Sequence, residues 1–433
     1  MRELKKVSLL GVIEISDIIP QNSLKSILGG YGDNNMRILL KHASLFLAIS
    51  VIISCSSSEQ SNNCSMGAKI IRIDPNSRQR RELTLSEIID SITYIPLETN
   101  ENCLLGTIHW DDFIYSDNYI LLMPKVDNKI YLFDKTGHFI AQIGDVGAGP
   151  GEYLRYSAQL ARIDEKNNQL IIYVTPPKQA MYYDLNGKFI ESITLLFDDI
   201  PGLISFHHSF YLHKKENYGR VPYTYTVLDT DFNIITKNVK PVNYSWKDYL
   251  AYPAVPLFSQ YTYNKQVHIR ESMLNDTLYV INDDFSFAPK YIINSGKYDV
   301  SVDLRSDDGF RFAKEVRNCV ILHSMFETDD YLFLLYEYQT KRIPCYYHKR
   351  ENKVIHIASS TSGIPNDFDG GLDFWPAYQN DKELVTFYDA YQLVEHKNKL
   401  KLQGGEEAIG RFDQMIRKID SDDNPVMVIV TLK

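Results

Sequence analysis

A short β-hairpin with a tight glycine turn occurs twice in this sequence, fifty residues apart, with turns at 134–137 and 184–187. In the first copy, within the stretch 129–153, apolar runs typical of β-strands flank the turn Asp-Lys-Thr-Gly. The second copy, at 181–193, has Asp-Leu-Asn-Gly as its turn. The final glycine can adopt the positive φ that a tight turn requires. A hairpin repeated at this period predicts a β-propeller, in which each blade is one antiparallel sheet.

The alternation of strand-like runs and turns continues along most of the chain. Aromatic residues make up 12% of the sequence, which favours strands because Tyr and Phe suit a half-buried pleated surface. The sequence therefore predicts an all-β fold, a six-bladed β-propeller. The later units are less regular, so a seven-bladed ring is the alternative. The six units lie at 107–143, 158–193, 203–235, 253–293, 320–357 and 374–394.

Two segments near the C-terminus lie outside this repeat. The segment 406–419 has its apolar residues on one helical face and predicts one short C-terminal helix. The segment 424–432 reads as a final strand. Such a strand can close a propeller by completing a sheet begun near the N-terminus, which removes the open edges of the ring. We therefore expect 427–432 and the strand 91–97 to share one blade.

The N-terminal region is typical of an export signal. A basic stretch at 37–42 precedes eleven apolar residues at 43–53. This core is too short to span a bilayer, which needs about 20 residues, but it suits a signal peptide. The following Ile-Ile-Ser-Cys resembles a bacterial lipobox, in which the cysteine thiol receives a diacylglycerol. The sequence thus predicts a lipoprotein signal peptide at 36–54 and lipid attachment at Cys55.

The same region predicts how the chain is divided. Bacterial signal peptides begin with a short basic region, yet 35 residues precede Met36, so we expect 1–35 to reflect a mis-called gene start. Polar residues after the lipobox predict a flexible tether at 55–69, and 70–433 is expected to form a single β-propeller domain. Several acyl chains anchor a protein stably. The expected location is the cell envelope, with the protein anchored to the outer or inner membrane of a Gram-negative bacterium.

Composition argues against several classes of function. The formal net charge is −9, from 46 basic and 55 acidic residues, and no basic stripe is present. Nucleic acid is therefore not an expected partner. The five cysteines contain no CxxC pair that would indicate a zinc ribbon. Neither GxSxG nor HExxH occurs. We expect no cofactor and no metal, and whether the protein is an enzyme stays open, with the sequence leaning against it.

One glycine-rich segment, 147–153, invites comparison with a phosphate-binding loop. Such a loop needs a helix behind it, whose first N–H groups hold the phosphate. Proline at position 150 and the strand-like residues that follow are incompatible with that helix. The segment is instead predicted to be a structural blade corner, in which the glutamate fixes the loop backbone. Its residues are Gly147, Gly149, Pro150, Gly151 and Glu152.

Other short patterns were weighed as sites. The tripeptides Asp-Ser-Ile and Asp-Thr-Leu resemble the O-glycosylation acceptor of Bacteroidota proteins, which makes Ser91 and Thr277 candidate O-glycosylation sites. The segment beginning at Asp367 resembles the start of a calcium loop, but its twelfth position is Tyr378 where the loop requires glutamate. Paired acidic residues elsewhere fall at predicted turns, where solvated side chains are expected.

These motifs together resemble a known family. Matching elements are Ile-Pro-Leu-Glu-Thr at 95–99, the two glycine hairpins, the corner at 147–153 and Asp-Asn-Pro at 423–425. The chain is similar to the six-bladed β-propeller lipoproteins of Bacteroidota, distant relatives of NHL-repeat propellers. The resemblance implies a fold and a cell-envelope location far more than an activity.

Two functions from different classes are compatible with such a chain. The first is a binding or scaffold module that presents one face of the ring to a protein, peptide or glycan. Trp246 and Trp375, in long predicted loops, are the candidate ligand face because amphipathic rings dominate binding hot spots. The alternative is a lyase or hydrolase at the mouth of the channel. That function requires convergent His, Asp or Glu side chains on the innermost strands.

Overall fold

The computed structural model describes residues 67–433, apart from 110–111, 125–128, 155, 175–176, 196–202, 208, 215–222, 240–258, 271–276, 302–303, 305–310, 312–313, 359, 361 and 403–405. The predicted signal peptide, Cys55 and Trp246 lie outside the described residues.

The strands are short and follow one another closely. In chain order they are β1 (Lys69–Arg72), β2 (Arg80–Arg81), β3 (Ile89–Pro96), β4 (Phe113–Tyr115), β5 (Tyr119–Leu122), β6 (Tyr131–Asp134), β7 (Phe139–Gln142), β8 (Asp145–Val146), β9 (Glu152–Tyr153), β10 (Tyr156–Asp164), β11 (Gln169–Val174), β12 (Gln179–Asp184), β13 (Phe189–Thr194), β14 (Leu203–His207), β15 (Phe210–Lys214), β16 (Tyr223–Leu228), β17 (Ile234–Val239), β18 (Ser259–Tyr263), β19 (Gln266–Arg270), β20 (Thr277–Ile281), β21 (Phe287–Asn294), β22 (Ile321–Glu327), β23 (Tyr331–Tyr338), β24 (Lys341–His348), β25 (Lys353–Ile357), β26 (Tyr378–Gln379), β27 (Glu383–Tyr388) and β28 (Val426–Leu432).

In the described part of the chain, six sheets form the blades of a propeller. This arrangement confirms the six-bladed prediction and excludes the seven-bladed alternative. The blades are blade 1 (β4–β7), blade 2 (β10–β13), blade 3 (β14–β17), blade 4 (β18–β21), blade 5 (β22–β25) and blade 6 (β26, β27, β28 and β3).

Blade 6 closes the ring with strands from both ends of the domain. Strand β28 is antiparallel to β3, with Val426 opposite Pro96 and Leu432 opposite Ile89. This confirms the predicted pairing of the two terminal segments. Asn424, just before β28, is buried, and its Nδ2 donates to the carbonyl of Cys103 at 2.6 Å while its Oδ1 accepts from the amide of Leu105 at 2.8 Å. The Asp-Asn-Pro motif therefore fixes the connection that leads into blade 1.

Two further strands come from the N-terminal segment and extend blades 4 and 5. Strand β1 is parallel to β21, and β2 is parallel to β25. Each covers the outer edge of a sheet whose own strands are antiparallel and becomes the new edge. Because these strands have only four and two residues, little open edge is left for pairing with other chains. The sequence analysis assigned neither strand to a blade, because a local pattern does not encode a partner that is distant along the chain.

The connections between strands fall on two faces of the ring, because consecutive strands run in opposite directions. We call turn face the side that carries the turns between the first and second and between the third and fourth strands of each blade. We call loop face the side that carries the connections between second and third strands and those between blades.

Two helices lie on the loop face of blade 6, between β27 and β28: α1 (Ala390–Leu402) and α2 (Glu406–Met415). Helix α2 confirms the predicted C-terminal helix. The prediction that strand-like structure continues to residue 394 is wrong, because β27 ends at Tyr388 and α1 begins at Ala390. Leu393 of α1 is fully buried in a core that includes Phe412 of α2, so tertiary packing overrides the strand-like pattern. None of the helices in the described residues has the length and apolar character needed to cross a bilayer.

The glycine of each repeated hairpin turn contacts the preceding blade. Gly137 has φ +87°, and a Cβ built there would clash with the carbonyl oxygen of Pro96 in β3. Gly187 has φ +83°, and its Cβ would lie 2.6 Å from the carbonyl oxygen of Gln142 in β7. Glycine is therefore required at each turn for two reasons. It allows the left-handed backbone conformation, and its lack of a side chain allows the close approach of two blades.

The first residue of each of these turns fixes its shape. Oδ1 of Asp134 accepts hydrogen bonds from the amides of Thr136 and His138 at 2.8 and 3.1 Å. Asp184 accepts from the amides of Asn186 and Lys188, both at 2.9 Å. Aspartate favours such turns because its short carboxylate bonds to the backbone two residues later.

The fourth strand of five blades contains a β-bulge that the sequence analysis did not predict. In each, one residue of the outer strand has no partner in the neighbouring strand, and a bulge of this kind changes the direction in which nearby side chains point. The extra residues are Ile140, Ile190, Ile235, Lys290 and Asp90.

Candidate functional site

A group of buried charged and polar side chains lies between blades 4 and 5. We call it the Glu327 cluster. It consists of a buried carboxylate with two lysines, one histidine and two tyrosines around it, namely Glu327, Lys290, Lys349, His268, Tyr261 and Tyr291.

The fold brings these residues together from distant parts of the sequence. Glu327 ends β22, the innermost strand of blade 5, and its side chain faces blade 4 with no exposed surface. On the opposite side, β21 contains the bulge at Lys290, which lets Lys290 and Tyr291 both contact the carboxylate. Lys349 follows β24 directly. Strand ends position Glu327 and Lys349, and the bulge positions Lys290 and Tyr291. Tyr261 and His268 lie opposite each other within the regular strands β18 and β19.

Both oxygens of the carboxylate are fully engaged. Nζ of Lys290 lies 2.9 Å from Oε2 of Glu327, and Nζ of Lys349 lies 2.7 Å from Oε1. The phenol of Tyr261 donates to Oε2 at 2.8 Å, and that of Tyr291 donates to Oε1 at 3.0 Å. Each oxygen therefore receives one ammonium and one phenol.

His268 is neutral in this arrangement. Nζ of Lys290 lies 2.8 Å from its Nε2, and an ammonium can only donate, so Nε2 is the acceptor. The proton of the imidazole is then on Nδ1, which donates to the carbonyl of Gln266 at 3.1 Å. Burial, together with the charge of Lys290, lowers the pKa of His268 to about 4.

The protonation states of the other members follow from burial and charge. Burial opposes ionisation of Glu327, but the ammonium groups of Lys290 and Lys349 outweigh it and lower the pKa of the carboxyl. Burial lowers the pKa of Lys290, although Glu327 acts against this shift. Burial and the carboxylate both raise the pKa of Tyr261. At neutral pH the cluster holds an ionised carboxylate and protonated phenols.

This geometry is that of a lock between blades rather than of a general acid or base. A catalytic base needs a free lone pair within reach of a substrate proton, whereas four donors occupy the carboxylate of Glu327. Gln379 of blade 6 adds two bonds to the backbone of Glu327, one accepted at 2.9 Å and one donated at 2.6 Å. Blades 4, 5 and 6 are therefore joined at one residue.

Sequence reasoning missed the Glu327 cluster, although a signal existed. Lys290 interrupts the apolar strand Phe-Ala-Pro-Lys-Tyr-Ile-Ile, and Glu327 follows Ser-Met-Phe at the end of another. A charge inside an apolar strand indicates a buried partner, since an unpaired buried charge is too costly to keep. The identity of that partner depends on how the blades pack.

An enzyme at the channel mouth would need converging acidic or histidine side chains, and the described residues can be searched for such a group. Within them, no three His, Cys, Asp or Glu side chains converge in a way that could hold a metal ion. The segment beginning at Asp367 binds protein groups instead. Oδ1 of Asp367 accepts from the amide of Ser86 at 2.9 Å, and Oδ2 accepts from its hydroxyl at 2.6 Å. This contact ties the connection between blades 5 and 6 to the segment before β3.

The glycine-rich corner leads from blade 1 to blade 2. Its two ends pair as the short parallel strands β8 and β9. Oε2 of Glu152 accepts from the amide of Gly149 at 2.8 Å, and a Cβ at Gly147 would clash with the same carboxylate. Gly151 has φ +77°, and its carbonyl accepts from the phenol of Tyr183 at 3.2 Å. Pro150 lies at the tip of the corner, between these glycines.

Trp375 is placed in the connection between blades 5 and 6. Its indole N–H donates to the hydroxyl of Ser324 at 2.7 Å, and its ring packs edge-on against Phe326 with centroids 5.1 Å apart. The side chain is half-buried. A large part of its ring therefore serves the packing of blades 5 and 6, and Trp375 as a ligand anchor stays a prediction.

The two candidate glycosylation sites both lie on strands. Ser91 is exposed on β3, the outermost strand of blade 6. Thr277 is half-buried at the start of β20 in blade 4. Both remain predictions, with Ser91 the more accessible side chain.

Large apolar side chains are exposed unevenly on the surface of the described residues. None of them lies in a turn of the turn face. Four lie on the outermost strands of blades 2 and 3, and the others lie on loop-face connections or helices. The loop-face group is Leu104 (62% exposed), Val146 (49%), Leu154 (61%), Tyr391 (52%), Leu402 (88%) and Met415 (37%). Among the described residues, the connections of the loop face thus expose more large apolar side chains than the turns of the turn face.

Two solved structures are similar to this chain, and the first of them supports the propeller fold. A protein from Bacteroides fragilis NCTC 9343, which its name describes as exported, matches with a TM-score of 0.59 and 16% identity, over 84% of this chain and 100% of that chain. A member of the DUF4221 family from Bacteroides vulgatus ATCC 8482 matches with a TM-score of 0.47 and 10% identity, over 80% and 97%. No curated protein matches the sequence.

At 16% identity the first likeness shows the fold alone. The sequence also matches a family described as "Domain of unknown function (DUF4934)" over residues 68–431, which is nearly the whole propeller. This chain therefore belongs to the DUF4934 family.

Proposed function

We propose that this protein is an exported, lipid-anchored β-propeller whose loop face binds a partner protein. The proposal is carried by the uneven exposure of large apolar side chains, which favours the loop face over the turn face. Exposed apolar surface is a common mark of protein interaction sites. The Glu327 cluster is assigned to the stability of the ring and has no part in the binding.

The backbone around these apolar residues is well fixed, which supports a binding role. Leu104 lies between Cys103 and Leu105, whose carbonyl and amide are both held by the side chain of Asn424. Leu154 follows Tyr153, whose buried phenol donates to the carbonyl of Ile143 at 3.0 Å. Apolar side chains on a rigid backbone lose little conformational entropy on binding, so they are favourable anchors.

Export and lipid attachment are supported by different observations. The N-terminal sequence has the order of a basic region, an apolar core and a lipobox cysteine. A protein of the same fold from Bacteroides fragilis is described by its name as exported. In this proposal the lipid on Cys55 holds the propeller in the cell envelope, as in the NHL-like propeller lipoproteins that the sequence resembles.

Site-specific crosslinking in cells tests the partner-binding face. With a photoreactive amino acid replacing Leu104 or Leu154, we expect a discrete higher-mass adduct on immunoblots after irradiation. The matched controls replace Asn186 or Lys382, both exposed in turns of the turn face, and are expected to give no such adduct. Equal crosslinking from both faces, or adducts from the turn face alone, would rule out the loop face as the binding surface.

Lipid attachment is tested by replacing the lipobox cysteine. We expect Cys55→Ser to move the protein from the membrane fraction to the soluble fraction almost completely and to remove the mass of the acyl groups. The matched control is Cys64→Ser, nine residues further along, which should leave the protein in the membrane fraction. Retention of Cys55→Ser in the membrane fraction would exclude this residue as the anchor.

A further inference from the structure

The direction of β1 determines where the chain enters the propeller. Strand β1 is parallel to β21, with Lys69 opposite Tyr291 and Arg72 opposite Asn294. Strand β21 begins at Phe287, directly after a turn of the turn face, and ends at the loop face. Strand β1 therefore also runs from the turn face towards the loop face. The backbone before Lys69 leads to the turn-face side of the outer rim of blade 4.

The described part of the chain begins at this rim, with Gly67. Gly67 is exposed, and a Cβ added to it would meet no atom within 4 Å. The segment 56–66 separates Gly67 from Cys55 and is mainly polar. The chain from Cys55 to Gly67 spans at most about 40 Å, its length when fully extended. The rim of blade 4 therefore has to stay near a membrane that holds Cys55.

Three of the six exposed apolar side chains of the loop face lie on the side of the ring opposite blade 4, and the other three lie on the helices of blade 6. In a ring of six blades, blade 1 is across from blade 4. Leu104 is in the connection that leads into blade 1, and Val146 and Leu154 are in the one that leaves it. Leu104, Val146 and Leu154 are thus distant from the entry point, because they lie on the opposite face and on the opposite side of the ring.

The geometry points to one orientation of the protein at the membrane. The turn-face rim of blade 4 lies next to the membrane. The apolar loop face around blade 1 points into the aqueous compartment, where it binds a partner protein and does not insert into lipid. This inference rests on the proposed lipid anchor. The exposure of these apolar residues alone is compatible with binding to a protein or with insertion into the bilayer. The proposed orientation favours binding to a protein.

The surface near the entry point is suited to lie beside a membrane without insertion. The outer turn of blade 4 exposes Asp283 and Asp284, and that of blade 5 exposes Arg350. No large apolar side chain is exposed in the described turns of this face. Charged side chains are costly to bury in lipid, so this rim stays in water while the tether holds it close.

Fluorescence quenching on vesicles tests the orientation. The full-length lipidated protein is reconstituted in vesicles of phosphatidylcholine and phosphatidylglycerol that carry a quencher on the lipid headgroups. A fluorophore is attached at Asp283→Cys or at Leu154→Cys, in a background of Cys64→Ser and Cys319→Ser; Cys103 and Cys345 are buried. We expect strong quenching at position 283 and almost none at position 154. Equal quenching, or stronger quenching at 154, would overturn the proposed orientation.

Flotation of the same vesicles separates this inference from the proposed anchor. Protein with Cys55 intact should float with the vesicles, whereas Cys55→Ser should remain at the bottom of the gradient. If the intact protein does not float, the anchor is wrong and the orientation falls with it. If it floats and position 154 is quenched, the anchor stands and only the orientation is wrong.

Discussion

Replacing Glu327 by alanine is expected to lower the free energy of unfolding by about 3–5 kcal/mol, the usual range when one partner of a buried ion pair is removed. The change leaves the ammonium groups of Lys290 and Lys349 without a counter-ion and the phenols of Tyr261 and Tyr291 without an acceptor. The measurement is urea unfolding at pH 7 on the compact unit 65–433.

An exposed ion pair in the neighbouring turn provides the control. Asp330 pairs with Arg350 at the surface of blade 5, and exposed pairs contribute little to stability because water screens them. Asp330→Ala should therefore leave the urea midpoint almost unchanged. A Glu327→Ala variant as stable as Asp330→Ala would contradict the role of the Glu327 cluster as a lock between blades.

The same cluster makes the propeller sensitive to acid. The pKa of His268 is about 4 in the folded protein and 6.5 in the reference state. Between these values the unfolded chain binds the additional proton, so stability is complete above pH 6.5 and is lost as the pH falls towards 4, by about 3 kcal/mol. Glu327 acts in the same direction, since its lowered pKa contributes stability that is lost as the carboxylate is protonated. A His268→Phe variant should show a flatter pH dependence of the urea midpoint across this window.

Replacing the turn glycine of blade 1 should have an effect of similar size. We expect Gly137→Ala to destabilise the propeller by about 3 kcal/mol, the combined cost of a strained backbone and of overpacking. The strain arises from φ +87°, and the overpacking arises because the new Cβ clashes with the carbonyl oxygen of Pro96 in blade 6. Thermal and urea unfolding of the variant measure this loss.

Substitutions at two other glycines separate the cost of backbone strain from the cost of overpacking. Gly296 has φ +62° and open space around its Cβ position, so Gly296→Ala reports backbone strain alone. Gly106 has open space and no positive φ, so Gly106→Ala should be close to neutral. We expect the order Gly137, then Gly296, then Gly106 in loss of stability. If Gly137→Ala costs no more than Gly296→Ala, the contact between the turn and the preceding blade does not constrain the ring.

The glycine hairpins determined the propeller from sequence because their information is local. Asp134 and Gly137 shape one turn, Asp184 and Gly187 shape the next, and the period between them sets the size of a blade. The C-terminal helix and the closing strand were also readable, since amphipathic spacing and a terminal apolar run are local patterns. Residues 390–394 misled the prediction because Ala-Tyr-Gln-Leu-Val suits a strand as well as a helix, and packing against α2 decided between them.

The sequence by itself thus determined the repeated hairpin, the propeller fold and the pairing that closes the ring, whereas the sheet arrangement decided between six and seven blades. Only the tertiary structure decided that Lys290 meets Glu327, that β1 and β2 extend blades 4 and 5, and which face exposes Leu104 and Leu154. The physical reason is one of distance along the chain. Turn shape and strand periodicity depend on neighbouring residues, whereas the partner of a buried charge or of an added strand depends on blades that meet only after the ring has closed.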